Sequence, residues 1–417
     1  MQNFLNSLHS IVGQIIPSAS ALPAQIWYMI GILIACIPII AYISVVAMVW
    51  TLFERKFAGY IQVRYGPNRV GPWGLLQPLA DGIKLLGKED VIPEGADKRL
   101  FNLAPLMVFL GALLPFVALP FSEHLVIASM SAGVIFILAF EAIEVIGIIM
   151  AGWAPNSKWT LYGGMRLAAQ MVAYEIPMSL CILSVVALTG TLNLGEIVKM
   201  QAGAGGIGNW LVWPWVSPFT TFAFIMFFVG GLAGTKRAPF DLPEAESELV
   251  AGFHTEYTGM RFAFFFMAEY AAMYVICAIA TICFLGGWHG PFREVFAPAA
   301  GDPTIKQFLL QHMQQGTAHG GLINWANAKS LGSLLSSYVF WKPALYQIIG
   351  VAYLILKSWF LLFVMVWVRW TLPRIRIDQV LHMCLKVLLP FSLACVLGAA
   401  AQMVLADWNL VQWLMGK

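Results

Sequence analysis

Residues 126–152 read VIASMSAGVIFILAFEAIEVIGIIMAG, a run that is apolar almost throughout but contains two glutamates, Glu141 and Glu144. A helix needs about 20 apolar residues to cross the hydrocarbon core of a bilayer. The segment is therefore predicted to span a membrane and to carry two carboxylates into it. Similar runs recur along the chain, so this one stretch indicates both the fold class and the position of unusual chemistry.

Composition supports the same fold class. The chain has 417 residues, of which 60% are hydrophobic and 11% are charged, whereas a soluble globular domain has about a quarter charged residues. We therefore predict an all-α integral membrane protein with about eight transmembrane helices. The predicted spans are residues 26–53, 100–121, 126–152, 166–190, 217–235, 262–287, 344–370 and 384–406.

The basic residues predict the orientation. The odd-numbered loops, counted with the adjoining span ends at Arg166, Arg369 and Lys386, hold 17 of the 24 Lys and Arg residues. Loops rich in these residues stay on the cytoplasmic side. Loops 54–99 and 236–261 are therefore predicted to be cytoplasmic, and the long loop 288–343 to lie on the opposite side. The N-terminal segment 1–25 and the C-terminal tail 407–417 flank the membrane domain 26–406 and share that opposite side.

Charged groups inside the predicted spans suggest a function. They are Glu141, Glu144, Glu175, Glu269 and Lys357. Each would cost about 2.5–3.5 kcal/mol at mid-bilayer if it faced lipid. They are expected to face the bundle interior, where they either relay protons or serve as structural groups bonded to Ser, Thr or backbone. Glu141 and Glu144 are spaced i, i+3, so they share one helix face.

The two polar cytoplasmic loops are predicted to be folded. Residues 74–88 have the spacing of an amphipathic helix along the membrane boundary, which would bind either lipid headgroups or a protein partner. In the second loop Glu244, Glu246 and Glu248 alternate, and an extended segment would place all three on one side. The six cysteines form no Cys-x-x-Cys pair, so neither an iron–sulfur cluster nor a zinc site is expected.

Long motifs in these loops resemble a known family. They are Glu-Arg-Lys-x-x-Gly-Tyr at 54–60, Arg-Tyr-Gly-Pro-Asn at 64–68, Gly-Leu-Leu-Gln-Pro-x-Ala-Asp at 74–81, Arg-x-Pro-Phe-Asp-Leu-x-Glu-x-Glu-Ser-Glu-Leu-Val-x-Gly-Phe at 237–253, Phe-Phe-Met-Ala-Glu-Tyr at 265–270 and Pro-Arg-x-Arg-x-Asp-Gln at 373–379. Together they resemble the H subunit of bacterial proton-translocating NADH:quinone oxidoreductase, respiratory complex I. The mitochondrial counterpart is NADH dehydrogenase subunit 1. The resemblance extends from about residue 26 to 406.

The resemblance implies an eight-span subunit of a translocase enzyme in the bacterial inner membrane. Such a subunit contacts membrane lipid, the other membrane-arm subunits and the peripheral arm, and no nucleic acid. With an iron–sulfur subunit it forms a chamber for ubiquinone or menaquinone. It holds no permanent cofactor of its own, because electrons arrive from the partner's iron–sulfur cluster.

The resemblance also implies roles for individual residues. Positions expected to bind quinone or line its chamber are Arg55, Arg64, Asp81, Lys84, Arg237, Asp241, Glu256 and Glu269. The hypothetical proton relay comprises Glu141, Glu144, Glu175, Glu244, Glu246, Glu248 and Lys357.

Two other functions are weighed against this one. The first is a membrane anchor of a related hydrogenase or formate hydrogenlyase, which need not bind quinone. The second is a stand-alone cation transporter, against which the elaborate cytoplasmic loops and the lack of internal repeats argue.

Overall fold

The computed structural model describes residues 24–123, 125–202, 206–243, 246–291 and 338–407. Nearly all of segments 1–25 and 407–417, and most of loop 288–343, lie outside these ranges, so the predictions for them stay predictions. Within the described residues the regular structure is helical, which confirms the all-α prediction.

Ten helices are labelled here. They are α1 (Ala24–Ile61), α2 (Gln77–Gly87), α3 (Lys98–Leu113), α4 (Gly133–Trp153), α5 (Lys158–Thr189), α6 (Leu194–Gln201), α7 (Pro218–Gly234), α8 (Gly259–Phe284), α9 (Tyr338–Thr371) and α10, which runs from Ile377–His382 through a π-helical segment Met383–Leu388 into Leu389–Asp407. Short helical turns occur at Pro72–Gly74, Pro115–Ala118, Gly206–Asn209, Glu246–Leu249 and Gly252–His254.

Seven of the described helices are long and apolar enough to cross a membrane, namely α1, α3, α4, α5, α8, α9 and α10. The eighth predicted span, α7, is an apolar helix of 17 residues. At 1.5 Å per residue it is about 26 Å long, slightly less than the roughly 30 Å hydrocarbon core.

Several spans begin earlier than predicted. The fourth begins at Lys158 rather than 166, the sixth at Gly259 rather than 262, and the eighth at Ile377 rather than 384. In each case the added residues include charged side chains that the sequence analysis assigns to loops. A long charged side chain can reach water from the first turns of a helix, so charge does not mark where a helix begins.

Helix α8 lies at the centre of the bundle and packs against α1, α3, α7 and α9. On one side of it, α4 packs between α3 and α5, and α5 also contacts α7 and α10. Glycine permits the close approach of α3 and α4. A Cβ at Gly111 would lie 2.6 Å from the backbone nitrogen of Glu144, and such small residues let membrane helices pack tightly.

We call one end of the bundle the basic end. Connections 62–97, 154–157, 235–258 and 372–376 meet there, because successive spanning helices alternate in direction. Amphipathic α2 lies in the first of these connections and packs on α1 and α8. Its residues Leu79, Ile83 and Leu86 are at least half exposed, which leaves an apolar face uncovered by this chain.

Candidate functional site

A buried charged network surrounds Glu54 in α1. Arg237 Nη1 donates to both Glu54 carboxylate oxygens, at 2.7 and 2.8 Å, and the Tyr270 hydroxyl donates to Oε2 at 2.7 Å. Arg369 of α9 also pairs with Glu54. On its other side, Arg237 Nε lies 2.6 Å from Glu269 Oε1. We call these five residues the Glu54 network.

Electrostatics hold Arg237 in its charged form. Burial alone would lower the pKa of Arg237, but the charges of Glu269 and Glu54 outweigh burial and raise that pKa well above its ordinary value. The guanidinium also lies over the Tyr270 ring, 4.7 Å from its centroid. A buried charge is tolerated when it is both paired and hydrogen-bonded, as Arg237 is here.

Sequence reasoning missed Glu54 as a site residue, although a signal was present. Ile43, Ala47, Trp50, Glu54 and Ala58 are all buried, and their spacing of three and four residues places them on one face of α1. The carboxylate therefore follows the apolar face inward, although the neighbouring Arg55 and Lys56 mark the end of the apolar run. Tyr270 and Arg369 were missed as well.

A second charged group lies between α4 and α5. Lys236 Nζ is 2.7 Å from Glu144 Oε1, and these side chains are only 5% and 4% exposed. Glu144, Glu175 and Lys236 are the charged groups that act electrostatically on Glu141. The structure thus brings the three predicted intramembrane glutamates together and adds Lys236. We call these four residues the carboxylate cluster.

Glu141 is the carboxylate of the cluster with spare hydrogen-bonding capacity. Its Oε2 atom is buried and has no hydrogen-bond partner among the described residues. Burying a carboxylate oxygen without a hydrogen-bond partner costs free energy. The cluster contains three carboxylates and one ammonium. Such an excess of acids over bases is what a proton-loading site requires.

Lys236 and Arg237 connect the two groups. They are consecutive residues at the end of α7, and each holds the carboxylates of one group. The backbone of Lys236 has a φ of 57°, an uncommon conformation for a residue with a side chain. Gln170 of α5 secures this connection, because its Nε2 donates to the Ala233 carbonyl at 2.6 Å and to the Phe240 carbonyl at 3.1 Å.

Further acids of the second loop lie closer to water. Glu248 pairs with Arg166 at 2.6 Å, and this hydrogen bond and charge lower the pKa of Glu248. Arg166 thus turns toward the loop acid at the entrance of the span. Asp241 lies 3.7 Å from Arg374 and acts electrostatically on Glu269, so it borders the Glu54 network.

The expected extended arrangement of the alternating glutamates is wrong for the part of the loop that is described. Residues Glu246–Leu249 form a helical turn, and a helical turn does not place alternate residues on one side. Glu244 lies outside the described residues.

The first loop forms a smaller charged cluster at the surface. Asp81 of α2 accepts from Arg55 Nη1 at 2.5 Å and from Gln77 Nε2 at 3.2 Å, with Lys84 Nζ 3.8 Å away. Burial raises the pKa of Asp81, but the hydrogen bonds from Arg55 and Gln77 and the charges of Arg55 and Lys84 together outweigh it, so the pKa lies below its usual value. Arg64 is exposed and bonds locally to Gln62 at 2.6 Å.

Glu256 and His254 also lie at the basic end. Glu256 is partly exposed, between the turn Gly252–His254 and the start of α8. Burial lowers the pKa of the neighbouring His254 to about 3, with the charge of Lys236 acting in the same direction. His254 is therefore neutral near pH 7, so carboxylates, not this histidine, are the candidates for proton loading.

Lys357 lies at the other end of the bundle. Its Nζ donates to the carbonyls of Leu285, Gly287 and His289, which follow the end of α8, at 2.7, 2.9 and 2.6 Å. Leu285, one of these acceptors, lies about 24 Å beyond Glu269 along the axis of α8, at 1.5 Å per residue. The structure therefore does not bring Lys357 into the carboxylate cluster, and its place in a relay stays a prediction.

These features define a class: a multi-pass helical membrane protein whose folded polar loops at one end are ion-paired to carboxylates inside the bundle. The sequence profile of the family described as NADH dehydrogenase matches residues 34–400. A relative from Chlorobaculum parvum, named as the H subunit of NADH-quinone oxidoreductase, is 42% identical over 369 residues, which is 88% of this chain and 91% of the relative.

Relatives with the same name occur in more distant bacteria. That of Rhodospirillum centenum is 41% identical over 377 residues, covering 90% of this chain and 94% of the relative. That of Anaeromyxobacter dehalogenans is 40% identical over 385 residues, covering 91% and 83%. The chain therefore belongs to the family of NADH-quinone oxidoreductase H subunits, and the resemblance carried by its loop motifs is confirmed.

Proposed function

We propose that this chain is the membrane subunit that helps to form the quinone chamber of NADH:quinone oxidoreductase and couples quinone reduction to proton translocation. The observation that carries the proposal is the pair Lys236 and Arg237. These adjacent residues tie the polar loop to two separate groups of buried carboxylates. A charge that appears near the loop would therefore act on both groups through one short piece of backbone.

Quinone is the proposed substrate, bound at the basic end between this chain and the peripheral arm. Its apolar tail requires an apolar wall, and the uncovered face of α2 with Leu79, Ile83 and Leu86 supplies one. The polar headgroup would lie deeper, toward the surface cluster of Arg55 and Asp81. Electrons come from the iron–sulfur subunit, because this chain is proposed to contain no redox centre.

Coupling follows from electrostatics. Two unit charges 2.7 Å apart, the distance of the Lys236–Glu144 pair, interact by about 6 kcal/mol at an effective dielectric constant of about 20. Moving one charge against a membrane potential of 100 mV costs about 2.3 kcal/mol. A displacement that breaks this pair would therefore change the energy of the carboxylate cluster by more than the cost of moving one proton.

The proposed sequence of events has three steps. Reduction of quinone adds negative charge and draws protons at the basic end. The loop connection responds, because Arg237 is held between Glu54 and Glu269, and its neighbour Lys236 shifts relative to Glu144. Glu141, Glu144 and Glu175 then exchange protons and transmit the change to neighbouring membrane-arm subunits.

Orientation and surroundings are part of the proposal. The basic end is placed at the cytoplasmic side of a bacterial inner membrane, with both termini on the opposite side, because Lys and Arg concentrate there. The partners are the peripheral-arm and membrane-arm subunits together with membrane lipid. The hydrogenase-anchor alternative is not favoured, since the relatives named above are quinone oxidoreductase subunits.

The test replaces Glu175 by Gln in the assembled complex, with Glu196→Gln as the control. Glu196 is a glutamate at the other end of the bundle, where it accepts a hydrogen bond from Thr191 at 2.6 Å. Glu175→Gln is expected to diminish quinone-linked proton pumping, and Glu196→Gln to leave it unchanged. Undiminished pumping in Glu175→Gln would refute a relay role for Glu175. Failure of NADH-oxidising subunits to co-purify with the wild-type chain would refute the proposed complex.

A further inference from the structure

We propose that a file of buried hydroxyl groups between α1, α8 and α9 is a second proton-conducting route, separate from the carboxylate cluster. It runs from the Glu54 network at the basic end to Lys357 at the opposite end of the bundle. The inference rests on the proposed function, because it concerns protons moved during quinone reduction.

The file begins at Tyr270. Its hydroxyl donates to Glu54 at 2.7 Å, and its side chain is almost fully buried. Tyr274 follows one turn later on the same face of α8, since residues four apart in a helix are neighbours. Tyr274 is completely buried as well, so the hydroxyls of this face are enclosed by protein and not exposed to lipid.

The middle of the file joins three helices. The Tyr274 hydroxyl faces Tyr42 of α1 and Ser358 of α9, and Tyr42 also faces the indole of Trp359. The rings of Tyr42 and Tyr274 meet edge to face with centroids 5.3 Å apart. Among the described residues, neither tyrosine hydroxyl has a partner within direct hydrogen-bond geometry. Buried polar groups of this kind are normally bridged by ordered water, which would complete the connection.

The far part of the file reaches Lys357. Ser358 Oγ lies 3.3 Å from Thr281 Oγ1 on α8, and Lys357 donates to the carbonyl of Leu285, one turn beyond Thr281, at 2.7 Å. From Tyr270 to Leu285 the helix rises about 23 Å at 1.5 Å per residue. The hydroxyls themselves end at Thr281, about 17 Å along α8 from Tyr270, so they cover about half of the roughly 30 Å hydrocarbon core.

The chemistry requires only proton transfer. A hydroxyl has one donor hydrogen and two acceptor lone pairs, so it can accept a proton from one neighbour while it passes its own to the next. No hydroxyl needs to become an anion, and no electron moves. The Trp359 indole can only donate, so it orients Tyr42 without carrying protons.

A purely structural role makes a different prediction. Hydrogen bonds between membrane helices make a modest contribution to stability. If the hydroxyls serve only in this way, their removal lowers the stability of the complex but leaves the number of protons pumped per electron unchanged. The ratio of protons to electrons therefore separates the two roles.

The experiment uses the complete complex reconstituted in liposomes, with Tyr274→Phe and Ser358→Ala compared separately with wild type. The matched control is Ser184→Ala, which removes a buried hydroxyl of α5 that bonds to the Cys181 carbonyl at 2.7 Å, outside the file. Both file variants are expected to reduce quinone but to pump fewer protons per electron. The control is expected to keep the wild-type ratio.

A wild-type ratio in both file variants would overturn the proposal. Should either variant fail to assemble, Thr281→Val removes a file hydroxyl with little change of side-chain volume and has the same expected outcome. Failure of the wild-type complex to reduce quinone would instead count against the proposed function, so the two failures are distinguishable.

Discussion

Replacing Lys236 by Met tests whether the loop controls the carboxylate cluster. The variant removes the ammonium that lies 2.7 Å from Glu144 and keeps an apolar side chain of similar length. Glu144 would then be a buried carboxylate beside Glu141 with no cation in contact. Breaking a buried ion pair by removing one partner costs about 3–5 kcal/mol, because the remaining charge is uncompensated. The expected change in the folded-to-unfolded ratio is therefore at least about a hundredfold.

The double variant Lys236→Met with Glu144→Gln separates charge from packing. Replacing both members of a buried pair is often nearly neutral, so most of the lost stability should return. The control is Lys199→Met, which breaks the exposed pair Lys199–Glu123, 3.5 Å apart with side chains 58% and 29% exposed. An exposed pair contributes about 0–1 kcal/mol, so this variant should resemble wild type.

The assay compares the yield of assembled complex and its thermal midpoint across the four proteins. The expected order is wild type, Lys199→Met, the double variant and finally Lys236→Met, with several degrees between the last two. If Lys236→Met and Lys199→Met lower the midpoint equally, the Lys236–Glu144 pair is not the buried contact on which the coupling argument depends.

Three further predictions concern packing and pH. Gly111→Ala should destabilise the complex by about 1–3 kcal/mol through overpacking of α3 on α4. The control Gly82→Ala on α2, where a Cβ meets nothing within 4 Å, should not destabilise it. Equal thermal midpoints for the two variants would contradict this prediction. Gln170→Leu should cost about 1–3 kcal/mol, because it removes the two buried hydrogen bonds from Nε2 to the Ala233 and Phe240 carbonyls. The cost is measured as a lower thermal midpoint, and an unchanged midpoint would show that the connection is held otherwise. The pKa of Asp81 is lowered in the folded protein. Its contribution to stability is therefore present above the pKa of the unfolded state and is lost as the pH falls through the pKa of the folded state. Amide exchange of α2, corrected for intrinsic rate, should rise below about pH 4 in wild type and not in Asp81→Asn.

The sequence predicted the spanning helices well because an apolar run long enough to cross a bilayer is rare in soluble domains. Their ends were harder to place. Lys158 was left outside the predicted span 166–190 although it begins α5, since long side chains carry charge to water from within a helix. Helix α7 was predicted correctly, because the predicted span 217–235 lies within one residue of the observed helix at each end.

Contacts within one helix were predictable, and contacts between distant segments were not. The i, i+3 spacing of Glu141 and Glu144 placed them on one face, and the structure has them in one cluster. The partner of Glu144 is Lys236, which follows it by 92 positions in a loop. Nothing in the local pattern of either residue specifies that pairing, because it depends on how α4 and α7 pack against α5.

Lys357 has partners that the sequence did not reveal. Its charge inside a span suggested membership of the relay, which stays a prediction. In the structure three backbone carbonyls of residues that follow α8 accept its hydrogen bonds. Every residue carries such a carbonyl, so residue type alone could not reveal these partners.

The central claim is that the carboxylates of α4 and α5 change protonation when quinone is reduced. Infrared difference spectra between the oxidised and reduced states of the complex, in wild type and in Glu141→Gln, test it most directly. A signal from a protonated carboxylic acid is expected in wild type and should be reduced or absent in Glu141→Gln. Identical spectra for the two proteins would contradict the claim.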